Sequence, residues 1–174
     1  MSHLLVYAAT DSRLHADVLV VRLTRAGIPT ARISVLHPAG LKPNSTLCWI
    51  KGSVSYPLAS GDQATVSGML GLRLAAQERK WSRYPLIDGL CNVGLSLDQS
   101  LNVEETLLGN GIIVAVEVAD ESQLPAIYHT LRGLSVQKVQ TADTPIHLIG
   151  AETRATRQRM SYGQEAILTA MHAA

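Results

Sequence analysis

The chain has 174 residues, a length that suits one domain with a core large enough to need no stabilising metal or disulfide. Hydrophobic residues make up 47% and aromatic residues 4%, and the net charge is +1. A nearly neutral chain with few aromatic stacking platforms argues against nucleic acid as a partner. No stretch reaches the ~20 apolar residues of a membrane-spanning helix. The N-terminus lacks a signal-peptide pattern, so we expect a cytoplasmic protein that does not associate with membranes.

The first segment of the chain predicts a strand, a helix and a second strand. The apolar run Leu4–Ala9 is typical of a buried strand. Thr10, Asp11 and Ser12 then offer N-caps for an amphipathic helix. A glycine and a proline end that helix, and the second predicted strand ends at Pro38.

The same order of elements recurs over Ile112–Thr141. An apolar strand is followed by a helix, for which Ser122 is the favoured N-cap because it places Pro125 in the first turn. The turn after Val118 contains no glycine, so it does not resemble the loops that bring backbone N–H groups around a phosphate. Helix capping accounts for its acidic residues without a ligand.

Two such split units predict an α+β fold, a ferredoxin-like split βαβ sandwich with four antiparallel strands on one side and two helices on the other. The second and third strands of the core are separated by a long insertion, 38–111, which must contain elements of its own. We expect residues 1–150 to form this ferredoxin-like domain and residues 151–174 to form a C-terminal helical tail.

Three elements are predicted within the insertion. A hairpin pivots on Lys51–Gly52, a helix covers Thr65–Lys80, and a second, shorter helix is closed by Gly109–Gly111.

Several segments resemble the bacterial heat-induced, or general-stress-protein-type, domain. The matching segments are Ala16–Leu23, Ala26–Ile28, Ile33–Leu36, Glu104–Gly109 and Gly111–Val118. They consist of packing residues, so the resemblance implies a ferredoxin-like fold and a link to stress, and it transfers no catalytic residue.

One end of the predicted sheet gathers the residues that could carry chemistry. The first two strands run in the same direction, so Thr10, Asp11 and Ser12 share an end with His37. A small polar ligand could bind there under the insertion, or His37 could act as a base oriented by Asp11. The alternative is that Asp11 and Ser12 cap a helix while His37 closes a strand. The six histidines show no metal-binding spacing, so we expect no metal and no cofactor.

Self-association is the predicted function. Gly68 and Gly71 interrupt the predicted inserted helix, which indicates close packing against a partner subunit or within the chain. Trp81 and Ile167 are further candidates for an interface in a homodimer or higher homo-oligomer. We therefore expect a non-catalytic, self-associating protein, and the resemblance implies a link to stress. The alternatives are a small-molecule sensor with its site between the insertion and the Asp11/His37 end or, third, an enzyme using that end.

Overall fold

A computed structural model describes residues 2–40, 50–77, 83–132 and 138–145. The strands in these residues are β1 (Ser2–Thr10), β2 (Ile33–Pro38), β3 (Ser53–Pro57), β4 (Gln63–Ser67), β5 (Ile112–Val118) and β6 (Lys138–Pro145). The α-helices are α1 (Arg13–Arg25), α2 (Met69–Ala76), α3 (Pro85–Val93), α4 (Leu97–Leu108) and α5 (Leu124–Arg132). The strands form one sheet in the order β3-β4-β2-β5-β1-β6. The pairs β1–β5, β2–β5, β2–β4 and β3–β4 are antiparallel, so the α+β class predicted from the sequence is confirmed.

The first strand, helix and strand form where the sequence predicts them. Ser12 caps α1 by accepting a hydrogen bond from the backbone N–H of His15. At the other end, Gly27 follows the C-cap Ala26 and takes a positive φ of 86°, the conformation that glycine favours at that position. A short 3-10 turn at Thr30–Arg32 then leads into β2.

Helices cover both faces of the sheet. Successive strand residues point to opposite faces, so β1 contributes alternate side chains to two separate cores. Val6 and Ala8 pack with α1 and α5, whereas Leu5 and Tyr7 pack with α2, α3 and α4. The predicted sandwich has helices on one side only. The helices of the insertion provide the second helical layer, and its two strands extend the sheet at the β2 side.

The first arm of the predicted hairpin at Lys51–Gly52 falls mostly on residues 41–49, which lie outside the described residues, and β3 follows at the position of its second arm. The partner of β3 is β4, and the chain turns between them where the backbone N–H of Leu58 donates to the carbonyl of Asp62 at 2.8 Å. The predicted helix from Thr65 to Lys80 is wrong at its start, because Thr65 to Ser67 belong to β4 and α2 begins only at Met69. Ala64 and Val66 are buried at a spacing of two, which is the strand period.

One further helix and one further N-cap differ from the predictions. α3 was not predicted, although Leu86, Leu90 and Val93 are buried at helical spacing behind an N-terminal proline. Before α5, the side chain of Asp120 accepts a hydrogen bond from the backbone N–H of Ser122 at 3.0 Å and starts a 3-10 turn. The predicted N-cap, Ser122, is therefore wrong, and Asp120 takes that role.

The predicted short helix is confirmed as α4. Ser96 and Gln99 form a capping box at its start, in which each side chain accepts a hydrogen bond from the other residue's backbone N–H. Residues Ser2–Thr144 form one compact unit. The predicted tail, 151–174, lies outside the described residues.

Candidate functional site

The turn after β1 is held by local hydrogen bonds. The backbone N–H of Ser12 donates to Thr10 Oγ1 at 3.1 Å, and Ser12 Oγ accepts from the backbone N–H of His15 at 3.3 Å. Thr10 is fully buried, whereas Asp11 is exposed. Thr10 and Ser12 therefore shape the turn and cap α1, and of the three predicted polar residues only Asp11 is free to meet a ligand.

His37 lies at the same end of the sheet but on the opposite face from the cavity beside Asp11 described below. In β2 it follows Ile33 and Val35 at a spacing of two, so it shares their face of the sheet, which packs against α1 and α5. It is buried, and its Nδ1 lies 2.9 Å from the carbonyl oxygen of Pro38. β5 separates β2 from β1, which places the two backbones about 10 Å apart. The structure thus does not bring Asp11 and His37 together as a base and its orienting acid.

A cavity of about 430 Å³ lies beside Asp11, between α4 and the adjoining ends of β1 and β5. We call it the α4 cavity. The residues that line it come from these three elements and the turns next to them: Tyr7, Ala9, Asp11, Asn102, Val103, Glu105, Thr106, Gly109, Gly111 and Ile113. Because α4 belongs to the insertion, the cavity lies between the insertion and Asp11, where the sequence-based ligand hypothesis places a site.

The walls of the α4 cavity divide into an apolar part and a polar part. Ala9 and Ile113 are directly paired across β1 and β5, and both are buried, as is Val103 of α4. The carboxyl groups of Asp11 and Glu105 belong to exposed residues. A ligand here would place its apolar part against the buried residues and its polar part at the mouth.

Helix α4 supplies most of the polar wall. Asn102, Glu105, Thr106 and Gly109 recur at spacings of three and four, so they share one side of the helix. The Thr106 hydroxyl donates to the carbonyl of Asn102 at 2.7 Å, and Asn102 Nδ2 donates to the carbonyl of Asp98 at 2.8 Å. Thr106 thereby uses its one hydroxyl donor and Asn102 one of its two amide donors, and the side-chain oxygen of each remains available as an acceptor.

Gly111 allows the chain to pass from α4 directly into β5. A Cβ atom at this position would lie 2.5 Å from Thr106 Cγ2 and 2.8 Å from the Thr106 carbonyl oxygen. The backbone N–H of Gly111 donates to that same carbonyl at 2.8 Å. A larger residue would therefore push α4 away from the strand and change the shape of the cavity.

Tyr7 forms part of the inner wall. Only 5% of its surface is exposed, and burial raises its pKa to about 12. Burial has this effect because the phenolate loses the water that would solvate its charge. Tyr7 is consequently a neutral phenol at physiological pH.

The lining of the α4 cavity carries negative charge. Asp11 and Glu105 contribute two carboxylates, and none of the lining residues is Lys, Arg or His. The ion pair that the described residues do form, Arg73 with Glu117 at 3.2 Å, joins α2 to the far part of β5. Within the described ranges neither Asp11 nor Glu105 has a basic partner.

The remaining predicted site residues pack within their own chain or fall outside the described residues. A Cβ at Gly71 would lie 2.5 Å from the Val66 carbonyl oxygen, and a Cβ at Gly68 would collide with the Ile33 carbonyl oxygen. Trp81 and Ile167 lie outside the described residues. Across 2–40, 50–77, 83–132 and 138–145, no group of three or more His, Cys, Asp or Glu could hold a metal ion, and no helix could cross a membrane.

Comparisons of the chain with protein-family models, curated proteins and solved structures give no match. The resemblance to heat-induced domains therefore stays a prediction. The contribution of α4 to the cavity was not predicted from the sequence. Its signal was the polar series Asn102, Glu105 and Thr106 at helical spacing, which is visible in the sequence but typical of any solvated helix face.

Proposed function

We propose that this protein binds a small organic molecule in the α4 cavity. The supporting observation is the cavity itself, about 430 Å³ in volume, with buried apolar residues and exposed polar groups in one wall. Binding sites for small molecules are commonly concave, mostly apolar and of this size. The proposal corresponds to the small-molecule sensor predicted from the sequence. Asp11 remains part of the site, and His37 does not belong to it.

A screen by two-dimensional amide NMR tests this proposal. A small-molecule ligand should shift the backbone N–H signals of Thr106, Gly109 and Gly111 in a saturable manner. In Ala9→Leu the larger side chain fills the apolar part of the cavity, so binding should be lost. Ala126→Leu adds the same side chain on the exposed surface of α5 and should bind normally. A ligand that shifts these signals equally in both variants would place its site elsewhere.

We also propose that β2, β5, β1 and β6 form a ferredoxin-like core. In chain order these are the first, second, fifth and sixth strands, and their order in the sheet is the one that two split βαβ units produce. The helices α1 and α5 of these two units pack in one core on one face, which also supports the proposal.

Self-association through α4 is a second candidate function. Leu97, Leu101 and Leu108 are 50%, 46% and 45% exposed, and their spacings place them along one line of the helix. A second copy of this chain could cover these three leucines and so form the homodimer expected from the sequence. Sedimentation velocity should then show a dimer that Leu101→Lys converts to a folded monomer. A wild-type monomer at micromolar concentration would remove this candidate.

The link to stress and the cytoplasmic location stay predictions from the sequence.

A further inference from the structure

We infer that the α4 cavity selects an organic cation: a small amine whose ammonium group lies between Asp11 and Glu105 and whose apolar body contacts Ala9 and Ile113. This inference rests on the proposed function, because it names the chemical class of the ligand for that cavity. It depends on the charge, the hydrogen-bonding groups and the position of the cavity in the fold.

The charge of the cavity lining favours a cation. The lining has two carboxylates and no basic side chain, and Arg13, two residues beyond Asp11, does not line it. An anionic ligand would be repelled, and a neutral ligand would gain no charge–charge attraction from the carboxylates. A cation placed between them would be attracted by both.

The hydrogen-bonding groups favour the same ligand. The side-chain oxygens of Asp11, Glu105, Asn102 and Thr106 are all acceptors, and the last two residues already use donors within α4. An ammonium group has donors and no acceptor, so it matches such a wall.

The end of α4 adds a further contribution. The cavity is lined by Thr106 in the last turn of the helix and by Gly109 just after it. Partial negative charge gathers at a helix C-terminus, and cations are stabilised there. This contribution comes from the backbone and does not depend on the two carboxylates.

A matched set of probes tests the inference. Benzylamine, benzyl alcohol and benzoate share one apolar ring and differ in charge. Amide NMR titrations should show benzylamine shifting the Thr106, Gly109 and Gly111 signals with the lowest Kd, and benzoate shifting none of them. Asp11→Asn and Glu105→Gln should each raise the Kd for benzylamine about threefold, the size typical of an exposed ion pair. Both variants should leave the Kd for benzyl alcohol unchanged.

Asp98→Asn is the control variant, because Asp98 is an exposed acid of α4 that does not line the cavity. It changes the net charge by the same amount and should leave the Kd for benzylamine unchanged. Equal binding of benzyl alcohol or benzoate at these amides would overturn the cation inference and leave the proposed function standing. If neither these probes nor the wider screen shifts those signals, the proposed function fails as well. A benzylamine Kd that rises equally in Asp98→Asn would mean that only the overall charge attracts the amine, which also overturns the inference.

Discussion

The carboxylate of Glu104 accepts a hydrogen bond from the backbone N–H of Ala59 at 2.7 Å and so joins α4 to the turn between β3 and β4. Glu104 is 5% exposed, although it is an acid in a helix with an exposed outer face. Its neighbour Glu105 points to the α4 cavity instead. One of the two consecutive acids thus holds the helix in place, and the other is available to a ligand.

Replacing Glu104 tests this structural role. Glu104→Ala leaves a backbone N–H without its acceptor and should lower the free energy of unfolding by about 1–3 kcal/mol. Glu104→Gln keeps an acceptor oxygen and should cost less. Urea unfolding followed by circular dichroism measures both, with Glu105→Ala as an exposed control expected within about 0.5 kcal/mol of wild type. Equal losses for Glu104→Ala and Glu105→Ala would contradict the role.

Gly68 and Gly61 form a second matched pair. Both have a positive φ, 88° and 90°, but a Cβ on Gly61 would meet open space whereas one on Gly68 would collide with the Ile33 carbonyl oxygen. Gly61→Ala should therefore cost only the left-handed strain of about 1 kcal/mol. Gly68→Ala should cost about 3 kcal/mol, because its positive φ with a ψ of −161° suits essentially only glycine and a Cβ would also overlap the Ile33 carbonyl oxygen. Similar melting temperatures for the two variants would show that the chain relaxes around Gly68.

The fold was predictable where local patterns agree with the tertiary structure. The apolar run before Thr10 is a local feature and was predicted correctly, and the cap Ser12 is one of the three candidates that the sequence offered. The strand Gln63–Ser67 was not predicted, because Val66 forms a series of helical spacing with Leu70 and Leu74 of α2. The structure breaks that series at Gly68, whose backbone must pass close to β2. Nothing in the local sequence specifies that long-range contact.

The candidate site was predictable only in part, for a related reason. Asp11 could be placed at the end of β1 from the sequence alone, and the insertion could be expected above it. His37 was assigned to the same site because β1 and β2 were correctly predicted to run in the same direction. The side chain of His37 nevertheless lies on the opposite face of the sheet, which the direction of the strands does not reveal. The polar residues of α4 become part of a site only when the helix packs across the end of the sheet.

The thiol of Cys91 should react slowly. Burial raises its pKa, since desolvation disfavours the thiolate, and a nearby Asp88 carboxylate adds to this. At pH 8 the folded protein should therefore be alkylated by iodoacetamide more slowly than the unfolded chain. The pH midpoint of the reaction should also be higher in the folded state. Measurement in a Cys48→Ser variant isolates Cys91, and equal midpoints for the two states would contradict the prediction.

The stability of the protein at high pH should depend on Tyr7. Its pKa is about 12 in the folded state and 10.0 without burial, so the unfolded chain loses the proton first as pH rises. The stabilisation from the neutral phenol is fully present below pH 10 and is lost between about pH 10 and 12. Tyr7→Phe should lose less stability over that range than wild type, whatever its stability at pH 7. Urea unfolding at several pH values measures this difference, and parallel curves for the two proteins would show that Tyr7 is not the responsible group.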